Sequence, residues 1–337
     1  MYNNIQALRG IAAFLVVIFH LLPHFRAMGL SNVIFESIAQ YGYAGVDVFF
    51  VISGFVMAKT TQNLPQTISS GKIFISKRFL RIYSGYLPIF AFALLYYSTY
   101  SPDFVKEIDL VSSLFLTSTD MQILLLGVSW SLTYELFFYS LIAFILLTKL
   151  SFRFVFFTVA FMVIIKNIFF PIIDSNWLNF SLSLFLLEFM AGFFLFSLLR
   201  PIAQPIYLPI PIILALISLY FGVTIPMENN WIRIMTFGVF GFAVIWILLA
   251  LEINEKLIIR GTLKRIGDAS YSLYLVHIVF VNMFYTSGIR TALVTHNIAL
   301  LGFIVYTIMI VIISLLIYKW IELPLYKKVI RGIMPRG

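Results

Sequence analysis

The chain has 337 residues, of which 61% are hydrophobic and only 11% are charged, so it cannot cover the surface of an ordinary soluble protein. Its net charge of +9 does not indicate nucleic-acid binding, because no long basic run stands apart from the apolar segments. Since the chain contains no cysteine, disulfides, thiolate metal sites and a cysteine-bound acyl intermediate are excluded.

Apolar stretches long enough to cross the hydrocarbon core follow one another along the chain. They predict an all-α, polytopic membrane protein with about ten transmembrane helices, formed by a single transmembrane domain over residues 1–337. The predicted spans cover residues 5–24, 41–60, 79–98, 130–148, 152–170, 180–199, 206–224, 231–251, 270–288 and 297–321. The stretch 110–126 is also apolar, but it is short and interrupted by polar residues, which favours an interfacial or re-entrant segment.

The basic residues predict how these helices are oriented, because cytoplasmic loops of membrane proteins carry an excess of Lys and Arg. With the N-terminus inside, all but five of the 23 Lys and Arg residues fall on the cytoplasmic side. Arg336 is one of these cytoplasmic residues. The five on the outer side are Arg26, Lys106, Lys166, Arg233 and Arg290. The sequence therefore predicts that both termini are cytoplasmic and that the number of spans is even.

The first predicted helix carries two ionisable residues, Arg9 and His20, on nearly the same face. They are eleven residues apart, which corresponds to about 16 Å along a helix axis. A single helical His is often a hydrogen-bonded packing residue, but an ionisable group inside a bilayer is costly and is a functional candidate by default. We therefore expect His20 to act as a proton acceptor near neutral pH.

In the second predicted helix, Asp47 and Gly54 are seven residues apart on one face, with Ser53 beside them. We interpret Gly42, Gly45 and Gly54 as positions where another helix approaches the backbone closely. Helix packing does not explain Asp47, whose carboxylate should have a cationic or hydrogen-bonding partner.

Two later helices also carry polar side chains on one face. In the fourth, Ser131 and Glu135 are separated by four residues and so share a face, and Trp130 before them is typical of an interfacial aromatic belt. The residues aligned on one stripe of the ninth helix are Ser270, Tyr274 and His277.

A basic cluster, formed by Lys77, Arg78 and Arg81, lies at the start of the third helix. It could anchor the helix at anionic lipid headgroups, or its arginines could hold a phosphate with two parallel hydrogen bonds. Arginines at one end of a helical bundle with a buried His and buried carboxylates suit acyl transfer from a phosphate-bearing thioester. The same residues suit a proton-coupled transporter equally well.

Six segments, in order along the whole chain, resemble motifs of the acyltransferase family 3 proteins, which are integral membrane acyltransferases. The segments are RGIAAFLVVIFH at 9–20, VDVFFVISGF at 46–55, KRFLRIY at 77–83, SWSLTYE at 129–135, GDASYSLYLVH at 267–277 and WIELP at 320–324. The chain departs from the family pattern in one place. The family usually has a proline two or three residues after the second arginine, whereas here Ser84 is found there and the proline comes later, at Pro88.

The resemblance implies transfer of an acyl group, most often acetyl from cytoplasmic acetyl-CoA, to a hydroxyl of a carbohydrate or glycolipid. The expected catalytic residues are His20, as the base, with Glu135 and Asp47 as carboxylates. Those expected to bind the CoA are Arg9, Lys77, Arg78 and Arg81, and those expected to support the site or substrate are Ser53, Trp130, Ser131, Ser270, Tyr274 and His277. No metal is expected.

The first hypothesis is accordingly a bacterial inner-membrane O-acyltransferase acting on O-antigen, capsule or exopolysaccharide. Some relatives carry an additional extracytoplasmic hydrolase-like domain, and none is expected here. The alternative is a transporter or flippase for a lipid-linked glycan, although the sequence has no clear two-fold repeat. A non-catalytic membrane sensor would leave the buried His and Glu without a role.

Overall fold

The structure is a computed structural model that describes residues 2–171 and 173–333, with only the backbone of Ile333; Arg336 lies outside the described residues. These residues form helices and their connections, with no strand among them, which confirms the all-α prediction. The α-helices are α1 (Asn3–Ala27), α2 (Val33–Ala39), α3 (Gly45–Thr61), α4 (Ile68–Tyr100), α5 (Pro102–Glu107), α6 (Leu110–Phe115), α7 (Trp130–Thr148), α8 (Phe152–Phe169), α9 (Asn176–Ser181), α10 (Phe185–Ile202), α11 (Pro209–Thr224), α12 (Asn230–Arg233), α13 (Val239–Ile253), α14 (Thr262–Asp268), α15 (Ser270–Thr286), α16 (Ile289–Thr295), α17 (Ala299–Ile317) and α18 (Leu323–Ile333).

Nine helical stretches in the described part of the chain are long and apolar enough to cross a membrane. They are Asn3–Ala27, Val33–Thr61, Ile68–Tyr100, Gly127–Thr148, Phe152–Phe169, Asn176–Ile202, Pro205–Thr224, Asn230–Ile253 and Ala299–Gly332. Each overlaps one predicted span. The remaining predicted span, 270–288, corresponds to α15, which passes the same test only together with α16; the two helices are bent by 53° at their junction. Gly288 lies at this bend with φ +75°, a backbone conformation that favours glycine.

Several helices are longer than the apolar pattern predicts. The largest difference is in α4, which begins at Ile68 rather than near residue 79 and therefore includes Lys77 and Arg78. Hydropathy detects only the part of a helix that lies in hydrocarbon, whereas backbone hydrogen bonding continues through the basic turns before it. In the stretch 110–126, the only α-helix among the described residues is α6, whose six residues are too few to cross a bilayer.

The helices group into two compact units. Unit 1 consists of the residues through Leu8, Val46–Arg78 and Tyr134–Arg260, and unit 2 consists of Arg9–Gly45, Phe79–Thr133 and the residues from Gly261 onward. Because the chain passes between them within α1, α4 and α7, neither unit is a continuous segment of sequence.

In unit 1, glycines allow α3 and α10 to pack backbone against backbone. A methyl group at Gly54 would overlap the carbonyl oxygen of Phe189, and one at Gly192 would overlap the carbonyl oxygen of Val51. Without a hydrophobic driving force between helices in lipid, such close approach is a main source of packing energy. The sequence interpretation of Gly54 as a packing position agrees with this geometry.

In unit 2, α15 lies at the centre of the packing. It contacts α17 and the 3-10 turn Gly127–Ser129 that precedes α7. The side chains of Leu273, Val276 and Phe284 on α15 are almost completely buried. The polar residues of α15 are therefore held among fixed neighbours rather than at a mobile surface.

Candidate active site

The environment of His20 in unit 2 fixes which of its ring nitrogens carries hydrogen. Nδ1 lies 2.9 Å from the carbonyl oxygen of Val16, one turn earlier on α1. Because a carbonyl oxygen only accepts hydrogen bonds, the hydrogen of a neutral ring is assigned to Nδ1. The lone pair then lies on Nε2, which is the arrangement that a general base requires.

Three residues predicted to support the site form a series of contacts that ends at His20 in the same unit. His277 is fully buried, and its Nε2 lies 3.3 Å from Nδ1 of His20. Tyr274, one turn before His277, donates to the carbonyl oxygen of Val128 at 2.8 Å, and the hydroxyl of Ser131 lies 2.8 Å from the Tyr274 hydroxyl. The stripe predicted on the ninth helix thus joins the beginning of α7 to the ring of His20.

The other two supporting residues of unit 2 have different environments. Ser270, at the start of the same stripe, is fully buried, and its hydroxyl has no hydrogen-bond partner among the described residues. Trp130 is half-buried at the first position of α7.

Arg81, expected to bind a phosphate, has a carboxylate partner in unit 2. One guanidinium nitrogen lies 2.5 Å from the carboxylate of Glu322, which is fully buried and also accepts a hydrogen bond from Ser272 at 2.5 Å. The guanidinium also lies over the rings of Tyr271 and Tyr326, 5.8 and 5.4 Å from their centroids. Much of the charge of Arg81 is therefore balanced within the protein.

Arg9 belongs to the same electrostatic neighbourhood of unit 2 as Arg81. Both arginines act on the side chain of Tyr318, as do the carboxylates of Asp268 and Glu322. Tyr318 begins a π-helical segment, Tyr318–Glu322, between α17 and α18. Glu322 is the last residue of this segment, and π-helical turns are frequent at functional sites.

In unit 1, Glu135 accepts hydrogen bonds from two hydroxyl groups. The hydroxyl of Ser53 on α3 donates to it at 2.8 Å, and the hydroxyl of Tyr139, one turn later on α7, donates to the same oxygen. Ser53 and Glu135, predicted separately from two motifs, are thus brought together. Tyr139 was not predicted, because a tyrosine within an apolar helix is most often a packing residue.

Arg78 also lies in unit 1, and its charge is not balanced by an ion pair among the described residues. It donates to the hydroxyl of Thr60 at 3.0 Å, and its guanidinium lies 5.5 Å and 5.8 Å from the ring centroids of Phe74 and Tyr139. Its Nε is buried and has no hydrogen-bond partner in the described part of the chain. The neighbouring Lys77 is half-buried and likewise forms no ion pair there.

Asp47, expected to be catalytic, forms a buried ion pair with Arg233. Arg233 donates to both of its oxygens through Nε and Nη2, at 2.9 to 3.2 Å. Asp47 is fully buried, and a buried carboxylate needs a partner. Arg233 is the cationic partner expected from the sequence. Glu188 is 2% exposed and acts electrostatically on this pair, but neither of its oxygens has a hydrogen-bond partner among the described residues.

The candidate residues expected from the sequence do not include Glu322, Arg233 and Glu188. Glu188 lies within a predicted span and Glu322 just after one, in the quoted WIELP segment, so ionisable groups in or next to apolar segments were the available signal. The sequence predicts an outer-loop position for Arg233, because it lies near the end of a predicted span. Pairing across distant segments is not visible in the sequence.

The helices and buried acid–base groups define a multi-pass membrane protein with candidate catalytic chemistry inside its helices. A family model described as "Acyltransferase domain" matches residues 2–319, nearly the whole chain. The chain therefore belongs to this acyltransferase family, as its motifs predict.

Curated relatives of the chain include the O-acetyltransferase OatA of Staphylococcus aureus strains NCTC 8325 / PS 47, COL and MRSA252. Each is 26% identical over 371 aligned positions, which cover 96% of this chain and 57% of the relative. The chain thus spans little more than half the length of these relatives. No solved structure matches it significantly.

Proposed function

We propose that this protein is a membrane-bound O-acyltransferase of the bacterial cytoplasmic membrane. It transfers an acyl group, acetyl in the first instance, from cytoplasmic acyl-CoA to a hydroxyl of a cell-surface or lipid-linked carbohydrate such as O-antigen, capsule or exopolysaccharide. The observation that carries the proposal is the hydrogen bond between Nδ1 of His20 and Val16, which leaves a lone pair on Nε2 of a partly exposed imidazole. Family membership and the O-acetyltransferase relatives support the reaction class.

The reaction balances with His20 as the only proton carrier. Nε2 takes the proton of the acceptor hydroxyl while its oxygen attacks the thioester carbonyl, and the imidazolium returns that proton to the departing thiolate. The products are the O-acyl ester and free CoA thiol. This balance does not require a covalent acyl-serine intermediate at Ser53, whose hydroxyl donates to Glu135.

The CoA phosphates are assigned first to Arg78 and Lys77. These two cations have no ion-pair partner among the described residues, whereas Arg81 is balanced by Glu322. Guanidinium groups bind phosphate with two parallel hydrogen bonds and at little cost when no protein carboxylate has to be displaced.

The experiment is a transfer assay with purified protein in lipid nanodiscs, acetyl-CoA and glycan extracted from the source membrane. We expect release of CoA thiol together with acetylated glycan, and a loss of about 10²–10⁴-fold in the His20→Ala variant, the usual contribution of a general base. The matched control is His296→Ala, because His296 is exposed at the end of α16. Glycan movement across the bilayer without acetyl-CoA consumption would instead establish a transporter.

A further inference from the structure

We propose that His277 is a positioning residue for the base, holding Nδ1–H of His20 through the lone pair of its own Nε2. The inference rests on the proposed function, since it gives His20 its role. It is drawn from the hydrogen bonds of both rings. The sequence pattern marks His277 as a polar residue of its stripe, but it does not show that its ring contacts His20.

The carbonyl group next to His277 determines its tautomer. Nδ1 of His277 lies 3.1 Å from the carbonyl oxygen of Leu273, one turn earlier on α15. As with His20, that oxygen only accepts, so Nδ1 of a neutral His277 carries the hydrogen and Nε2 carries the lone pair. The opposite tautomer would place two lone pairs against each other.

The two assignments fit each other at the contact between the rings. Nδ1–H of His20 has two acceptors, the carbonyl oxygen of Val16 at 2.9 Å and Nε2 of His277 at 3.3 Å. Two acceptors around one hydrogen restrict rotation of the ring about its bond to Cβ. They also stabilise the imidazolium that forms when Nε2 of His20 takes a proton, because a charged donor strengthens both bonds.

The burial of His277 shows that it positions the base rather than taking part in catalysis directly. His277 is fully buried, with its ring 6.0 Å from that of Tyr274 and 5.0 Å from that of His20, measured between centroids. No face of the ring is open to a substrate. His277 therefore acts through His20, as the carboxylate of a catalytic triad acts through its histidine.

Two conservative variants separate positioning from packing. In His277→Gln the amide oxygen can occupy the place of Nε2 and accept from His20, whereas in His277→Asn the shorter amide reaches only the place of Nδ1 and the Leu273 carbonyl. We expect His277→Asn to lower kcat by about ten- to a hundredfold with KM for acetyl-CoA unchanged, and His277→Gln to restore most of it. Equal activity of the two variants, at matched thermal stability, would overturn the proposal.

The tautomers can be measured without any assay of activity. The chain has only four histidines, so 15N-histidine labelling and NMR in nanodiscs give a small set of ring signals, assigned by His20→Ala and His277→Gln. We expect the rings of His20 and His277 to be protonated at Nδ1 and unprotonated at Nε2. A hydrogen on Nε2 of either ring would exclude the pairing even if transfer is observed. If both rings carry the expected tautomers but no acyl transfer is observed, the proposed function is rejected and the pairing of His277 with His20 is retained.

Discussion

At the scale of single residues, the ion pair between Asp47 and Arg233 shows how a buried charge is tolerated within an apolar helix. The carboxylate is fully buried, and the guanidinium of Arg233, whose side chain is 18% exposed, donates to both of its oxygens. Taking one partner away leaves the other charge buried and uncompensated, which is more costly than removing both. The pair therefore gives Asp47 a structural explanation that does not need a catalytic role.

This explanation predicts a specific pattern of stability. Asp47→Asn and Arg233→Gln should each lower the stability of the folded protein by about 3 kcal/mol, because each removes one partner of a buried ion pair. The double variant should lose clearly less than the sum of the two, since the pair is removed as a unit.

Thermal unfolding of the four proteins in one detergent measures this double-mutant cycle. Additive losses would show that the two side chains are not coupled. Loss of acyl transfer in a variant of wild-type stability would return Asp47 to a catalytic role.

At the scale of helices, backbone contact between α3 and α10 depends on glycine. The carbonyl oxygen of Phe189 occupies the space that a Cβ at Gly54 would need, and a backbone atom of a packed helix cannot move aside as a flexible side chain can. The separation of these helices is therefore set by two residues without side chains, Gly54 and Gly192.

We expect Gly54→Ala to destabilise the protein by about 3 kcal/mol, at the upper end of the usual range for overpacking. The matched control is Gly332→Ala in α18, where a Cβ would meet no atom within 4 Å. Thermal unfolding and the yield of monodisperse protein are the measurements. Equal behaviour of the two variants would contradict the close contact.

At the scale of the whole molecule, the orientation in the membrane stays a prediction of the basic residues. Because the chain lacks cysteine, each introduced cysteine is a unique label. Gln62 and Thr295 are both exposed, and the positive-inside rule assigns the first to the cytoplasm and the second to the outer side.

In intact cells, a membrane-impermeant maleimide should label Thr295→Cys directly and Gln62→Cys only after permeabilisation. The order of labelling therefore tests the predicted cytoplasmic location of both termini. Labelling of Gln62→Cys first would reverse the predicted topology and, with it, the side from which acyl-CoA is proposed to enter.

The sequence by itself determined the membrane class, the helical fold and the family. Each of these follows from local properties: apolar runs of spanning length, and motifs in a fixed order. Residues such as His20, Glu135 and Asp47 were also found locally, since an ionisable group within an apolar segment stands out wherever its partners lie.

Only the tertiary structure decided the partners. Glu322 with Arg81, Arg233 with Asp47 and His277 with His20 join residues that are more than 180 positions apart, and no periodicity encodes such a distance. The assignment of hydrogens to the histidine rings likewise needed the atoms around them. A hydrogen bond depends on distance and direction in space, whereas a sequence records only which groups are available to form one.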